Sequence, residues 1–287
     1  MTQDFISFAS CHGLQIPRLI CDDQWHRVPT DDKPHSKNGS YKHNGKYGIL
    51  INFRTMTECA SHPDRNSNEF SAEDRAKYAK EMAEVNRKAH EDREKKYSEA
   101  RKNASKLLSE CELDKHPYLE KKRFPDALAL VSGNIMAIPM RDCLTNELNS
   151  IQSINHEGDK RFMYGGKAKG SVFVIGKKKD YENPIKILVE GYATGLSVYE
   201  SIKGLCIPCE VIVCFAASNI IYVASKVSGK RIVFADNDVS ETGQKAAKET
   251  GLPWTMAPEV GMDANDYHQK AGIFALQKLI RECIALL

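Results

Sequence analysis

Two carboxylates stand just past an apolar run in Phe234-Ala235-Asp236-Asn237-Asp238-Val239, and a third, Glu190, ends a similar run, Ile185-Lys186-Ile187-Leu188-Val189-Glu190-Gly191. Strand side chains alternate between faces, so Asp236 and Asp238 are expected to project the same way. In a parallel α/β sheet the carboxyl edge is where ligands bind. Three acids converging there suit a hard divalent cation with oxygen ligands. Gly261-Met262-Asp263-Ala264-Asn265-Asp266-Tyr267 brings two more acids after a further short strand, Trp254 to Ala257. Taken alone, an Asp-x-Asp is also a turn or a helix N-cap. The residues around it favour the strand end, because an apolar run from Arg231 leads into Asp236. Glu241 to Thr250 then reads as a helix closed by Gly251.

These acids need a parallel sheet to hold them, and the C-terminal stretch supplies its pattern. From Ile185 strands and helices alternate: strand to Val189, helix Thr194 to Ile202, strand Val211 to Phe215 and helix Ser218 to Val227. Strand Arg231 to Ala235, the Glu241 helix, strand Trp254 to Ala257 and a terminal helix from Ile273 complete it. Ser218 is the expected N-cap, and Gly229 and Gly251 suit helix exits. Such alternation implies parallel strands with crossover helices.

Upstream, residues 1–68 read as a small α+β module. It has an amphipathic helix near Phe5 and strands around Trp25-Val28, Gly39-Lys42 and Tyr47-Phe53. The turn His43-Asn44-Gly45-Lys46 carries Asn-Gly, a strong hairpin signal. Residues 69–112 read as a charged helical connector. From Ser71 to Glu110 there is neither Gly nor Pro, opposite charges recur at helical pairing distance, and the apolar residues are mostly Ala, which predicts a solvated helix. Residues 113–182 form a strand-rich basic segment carrying Arg141, Lys160, Arg161, Lys167 and Lys169. In Asp159 to Gly170, cations alternate with aromatics and glycines, a composition suited to phosphate groups. Gly170 to Lys178 is not a phosphate-binding loop of the ATPase type, since no Ser or Thr follows the Lys and the stretch reads as a strand.

Composition narrows the classes further. The 287 residues allow one large or two modest domains, and a net charge of +3 is compatible with a local nucleic-acid site without arguing for one. No apolar run is long enough to span a bilayer and the N-terminus lacks signal-peptide features, so a soluble, cytoplasmic protein with no membrane partner is expected. Nine scattered cysteines are expected to be reduced. No zinc is expected: Cys206-x-x-Cys209 lacks a second pair and leads into a strand, and Cys11, His12, Cys21 and His26 form only a loose cluster without zinc-ribbon spacing.

An acidic strand end followed by Gly, then an Asp-x-Asp strand end roughly 45 residues on, resembles the Toprim domain shared by primases, topoisomerases and some nucleases. Glu190-Gly191-Tyr192-Ala193-Thr194 looks like its glutamate motif, Asp236-Asn237-Asp238 like its metal-binding motif, and Asp263-Ala264-Asn265-Asp266 like the further acidic motif of primases. His116-Pro117-Tyr118-Leu119-Glu120-Lys121-Lys122, Ala137 to Asp142, Ser150 to Ile154 and Asp159 to Phe162 are similar to the segment ahead of Toprim in primases of phages, plasmids and integrated elements.

The resemblance implies an α/β fold, a Toprim domain over residues 183–287, and a DNA primase that makes short RNA on single-stranded DNA. It further implies Mg²⁺ or Mn²⁺ held by Asp236, Asp238, Asp263 and Asp266, with Glu190 as general acid/base or further ligand. Arg141, Lys160, Arg161, Lys167 and Lys169 would meet nucleoside triphosphates or template, and a replicative helicase would be a partner. The alternatives are a Toprim nuclease with the same metal chemistry, or a non-catalytic single-stranded DNA-binding accessory protein of a mobile element.

Overall fold

The computed structural model describes residues 2–45, 48–55, 57–61, 72–176, 183–205 and 207–287. The chain forms two compact units, Met1–Lys88 and Ala89–Leu287. In the first, helix α1 (Thr2–Cys11) accompanies four antiparallel strands in sequential order, β1 (His26–Val28), β2 (Gly39–His43), β3 (Gly48–Asn52) and β4 (Thr57–Ser61). Period-two alternation sends Val28, Tyr41 and Leu50 to one face, where they bury with Phe5, Ala9 and Leu14. The β2–β3 hairpin expected from the Asn-Gly signal pairs Gly39 with Asn52 through His43 with Gly48; Lys46 and Tyr47 lie outside the described residues. The loose Cys/His cluster is dispersed. Cys21 Sγ lies 3.0 Å from His43 Nδ1, Cys59 Sγ 3.8 Å from His12 Nδ1, and His26 pairs with Asp22 at 2.7 Å.

Helix α2 (Ala72–Ser109) runs 38 residues across the division between units. Its Glu84 accepts from Arg87 at 2.7 Å and stands 3.6 Å from Lys88, the expected exposed pairing. Where its side chains are described the helix is mostly exposed, as expected of a solvated connector, with exceptions near its C-terminal end. Ala100 and Ala104 are buried, Ala104 against Ala137 and Ile151, because residues this small let the helix backbone settle close onto the sheet.

The second unit continues with β5 (Glu112–Asp114), α3 (Pro117–Lys121), β6 (Ala129–Ser132), β7 (Ile135–Asp142), β8 (Leu148–Ile154), β9 (Lys160–Phe162) and β10 (Ser171–Ile175). Then follow β11 (Ile185–Val189), α4 (Tyr192–Ile202), β12 (Cys209–Val213), α5 (Ala217–Lys226), β13 (Arg231–Ala235), α6 (Thr242–Glu249), β14 (Trp254–Met256), α7 (Ala264–Ala271) and α8 (Ile273–Ile284). One mixed sheet runs in the order β14-β13-β11-β12-β10-β7-β6-β5, with β8 paired to β7 and β9 paired to β8. The strands β14, β13, β11 and β12 are parallel, as the alternating pattern requires. The parallel part is not a separate sheet, however: β10 is antiparallel to both β12 and β7 and joins it to the antiparallel strands upstream.

Apolar side chains from both faces of β11, β12 and β13 bury in two clusters. One holds Ile187, Val189, Val211 and Phe234 against α4 and α8; the other holds Leu188, Ile212 and Val233 against α5. Strands buried on both faces read as continuous apolar runs, which is why they were visible in the sequence. Helix α5 starts at Ala217 with Ala216 at the N-cap, so Ser218 sits inside the first turn and does not cap it. Gly251 follows α6 with φ +68°, a conformation glycine adopts without penalty. Cys209 is buried in β12, and burial pushes its thiol up to about 11; Cys206 lies outside the described residues. Among the described residues no helix is long and apolar enough to cross a membrane.

Candidate active site

Glu190 directly follows β11 and Asp236 directly follows β13. These strands are neighbours in parallel register, with Val189 opposite Phe234, so both acids leave the sheet at one carboxyl edge. A third acid reaches this edge through a buried splice. The Asn237 side chain accepts from Gln244 Nε2 at 2.7 Å and donates to Ala257 O at 2.9 Å, while its amide donates to Met262 O at 3.1 Å. Asp263, next after Met262, thereby joins Glu190 and Asp236 around a cavity of about 140 Å³ that Lys160, Gln152 and Phe215 also line.

Asp236 is the electrostatic centre of this cavity. Its Oδ1 is buried and finds no hydrogen-bond partner among the described residues. Burial, then the negative charges of Glu190, Asp263 and Asp238, push its carboxyl up to about 8, with Lys160 opposing. The residue keeps partial exposure through the cavity, so one oxygen is dry while the side chain remains reachable. Lone buried carboxylates of this kind call for a cation or a proton.

The other expected acids divide between the cavity and helix ends. Asp263 Oδ1 caps α7 by accepting from Asn265 N at 2.7 Å and Asp266 N at 2.9 Å, leaving Oδ2 without that duty. Asp266 completes the capping box, receiving the Asp263 amide at 3.4 Å, and stands 3.9 Å from Lys122. Asp238 Oδ1 accepts from Ser240 Oγ at 2.7 Å and Thr242 N at 3.2 Å at the start of α6. Neither Asp238 nor Asp266 lines the cavity, although Asp238 contributes its charge to Asp236.

The basic residues are likewise sorted by the fold. On β9, the end strand of its branch, Lys160 and Phe162 share a face and Arg161 takes the other. Lys160 reaches the cavity, and Phe162 meets Phe215 edge to face with ring centroids 6.3 Å apart. Lys167 is tied to Asp142 at 3.0 Å, Lys169 lies 5.1 Å from the centre of the Tyr222 ring, and Arg141 donates to Asn146 O at 3.2 Å. Of the five cations expected to meet phosphate, Lys160 alone lines the acidic cavity.

Several supporting residues carry no chemical signature in the sequence. Gly243 must lack a side chain, because a Cβ there would stand 2.5 Å from the Asp236 carbonyl oxygen; α6 packs its first turn onto that peptide. Phe215 holds φ +67°, a strained value for a bulky residue, and its amide donates to Glu190 O at 2.8 Å. Asn265, fully buried, donates to Ser197 Oγ and to Lys122 O, both at 3.0 Å, locking α7 to α4 and to the end of α3. Gln152 of β8 also lines the cavity, and nothing in the stretch Ser150-Ile151-Gln152-Ser153-Ile154 marks that amide as functional.

The donor set fits a hard divalent cation: three carboxylates from three elements, one with a dry and unpaired oxygen. Among the described residues no three His, Cys, Asp or Glu side chains already stand close enough to enclose an ion. An ion that keeps part of its water shell suits that spacing better than a tight protein cage.

No protein-family model matches the chain, and no curated protein matches it in sequence. Among solved structures, it is similar to the primase fragment of the bacteriophage T7 primase-helicase protein, with 19% identity over 58% of this chain and 68% of that one and a TM-score of 0.39. It is also similar to the DnaG catalytic core, with 17% identity over 53% of this chain and 52% of that one and a TM-score of 0.36. The match spans about half of that core. These are partial likenesses of a mixed α/β fold, and the chemistry of the site rests on its own residues.

Proposed function

We propose that the chain is a DNA primase-type nucleotidyltransferase that joins nucleoside triphosphates into short RNA on single-stranded DNA. The observation that carries this reading is the cavity in which Glu190, Asp236 and Asp263 meet Lys160 at the carboxyl edge of a parallel sheet. All three motifs resembling Toprim primases contribute lining residues, and β9, from the segment resembling the region ahead of Toprim, contributes Lys160. Asp236 and Asp263 would hold Mg²⁺ or Mn²⁺ and Glu190 would be a ligand or proton acceptor, with Asp238 and Asp266 shaping the two helix starts behind them.

A bound divalent ion supplies Lewis-acid stabilisation of the oxygens that gain charge in phosphoryl transfer. The chain's residues do the rest. Lys160 neutralises the triphosphate as it approaches an otherwise acidic cavity. The 3′-oxygen of one nucleotide attacks the α-phosphorus of the next, the α–β phosphoanhydride bond breaks, and pyrophosphate leaves with that bond's electrons. Glu190 receives the 3′-hydroxyl proton. Phe215 and Phe162 form an apolar rim beside the cavity, and Arg161, Lys167 and Lys169 carry the template backbone outside it. A replicative helicase would deliver the single strand.

Incubating the pure protein with single-stranded DNA, labelled nucleotides and Mg²⁺, beside a parallel digestion assay of the same DNA, tests the proposal. Template-dependent short RNA supports it; degradation of the DNA without synthesis replaces it with a nuclease.

A further inference from the structure

Gln152 lies in β8 between β7 and β9, with its backbone opposite Ile138 on one side and Phe162 on the other. Residues directly opposite in an antiparallel pair send their side chains to the same face, and diagonal neighbours on that face stay within reach of long side chains. The Gln152 amide therefore has Phe162 beside it and Lys160, two residues back along β9, on its diagonal. Gln152 and Lys160 both line the acidic cavity, as does Phe215, whose ring meets that of Phe162 with centroids 6.3 Å apart. Phe162 is 44% exposed, which leaves ring surface on which a base can stack. Gln152 thus stands where the charged lining of Lys160, Glu190, Asp236 and Asp263 gives way to aromatic rings.

The chemistry of this side chain sets it apart from its neighbours. Gln152 is only 6% exposed, and its amide has no hydrogen-bond partner among the described residues. Buried polar groups are as a rule hydrogen-bonded, and an amide left unpaired inside a protein opposes folding. Methionine has a similar unbranched length without that cost. The amide carries no charge, so it neither balances the carboxylates nor offsets phosphate. It offers two N–H donors and a carbonyl acceptor, a set matched by a hydroxyl, which accepts and donates at once. In a nucleotide the hydroxyls sit on the sugar, between the phosphates and the base. Phosphates drawn to the cation site and Lys160, with the base against the rings, put the sugar at Gln152.

We infer that Gln152 is the specificity-determining residue for the sugar: its amide hydrogen-bonds the ribose 2′-hydroxyl, the group that deoxynucleotides lack. This rests on the proposed reading of the cavity as a nucleotide site. It assigns substrate recognition to a residue that neither the acidic nor the basic motifs single out.

The test is equilibrium binding of ATP and of dATP to the full chain, as wild type and as Gln152→Met, with Mg²⁺ and without DNA. A site built around a hydrogen bond to a substrate hydroxyl rejects the analogue lacking it, because its own polar group is then left unpaired. Wild type should bind ATP roughly tenfold or more tighter than dATP. Gln152→Met should bind ATP as weakly as wild type binds dATP, with its dATP affinity equal to or above that of wild type. Equal affinity of wild type for the two nucleotides, or a preference for ATP that survives in the variant, overturns the inference and leaves the nucleotide site standing. A variant that loses both nucleotides alike, whatever its melting temperature, makes Gln152 a phosphate-binding or packing residue and also overturns it. Wild type that binds neither nucleotide overturns the nucleotide-site reading itself, and the inference with it.

Discussion

Replacing Asp236 with Asn isolates the electrostatic cost of the site. In the unfolded chain this carboxyl loses its proton near 3.8, whereas in the folded protein burial and the neighbouring acids keep it protonated to about 8. Between those values the unfolded state binds fewer protons than the folded state, so wild-type stability falls as pH rises from about 4 to about 8 and then levels off. The full shift sets a ceiling of roughly 6 kcal/mol. Water in the cavity and local relaxation reduce this, and a difference of roughly 2 kcal/mol is expected. Asn cannot ionise, so Asp236→Asn should match wild type at pH 4 and below and exceed it by that amount at pH 8 to 9. Urea denaturation in chelator across this range measures the gap. Adding Mg²⁺ or Mn²⁺ at pH 8 should then stabilise wild type and leave the variant unchanged. Parallel stability curves, with a gap independent of pH, would refute the reasoning.

Glu190→Gln keeps the size of the side chain but cannot accept a proton, so its synthesis rate should fall by roughly 100-fold or more with DNA affinity unchanged; a fall in affinity alone would make Glu190 a binding residue. Lys160→Ala should raise the KM for nucleotide, whereas Arg161→Ala, on the other face of β9, should leave KM alone and lower the salt slope of DNA binding by about one; kinetics and binding at several salt concentrations separate the two. Gly243→Ala forces a Cβ against the Asp236 carbonyl and should destabilise the unit by about 1–3 kcal/mol, with weaker Mn²⁺ binding; denaturation and calorimetry check both, and a neutral result would mean that α6 shifts without moving Asp236.

What could be read from the sequence followed from how locally each feature is encoded. The runs Ile185–Val189 and Arg231–Ala235 are buried on both faces, so their pattern alone exposes them and the acids at their ends. The antiparallel junction of β10 with β12 is a non-local pairing, and nothing in either segment announces it. Ligand and cap are written with the same residue, which is why Asp238, Asp263 and Asp266 looked equivalent. Only the fold shows that Asp263 both caps and lines the cavity, while the other two stand at helix ends outside it. Helix α7 itself was hidden, since Ala264–Ala271 is short and its amphipathic signal is brief. Asn237 stands between two acids with no signature of its own, yet its backbone bridges to Met262, beside Asp263, while its side chain bonds Ala257 O and Gln244. Likewise, the alanines of α2 suggested little to bury, and burial depended on the close approach that small residues allow.

The central claim is that the cavity around Asp236 joins nucleotides on a DNA template. Its most direct test is to give wild type and Asp236→Asn the same single-stranded DNA, labelled ribonucleotides and Mg²⁺, and to resolve the products by length. The account predicts short, template-dependent RNA from wild type and none from the variant. Equal synthesis by the two proteins, or DNA cleavage by wild type with no RNA made, would contradict it.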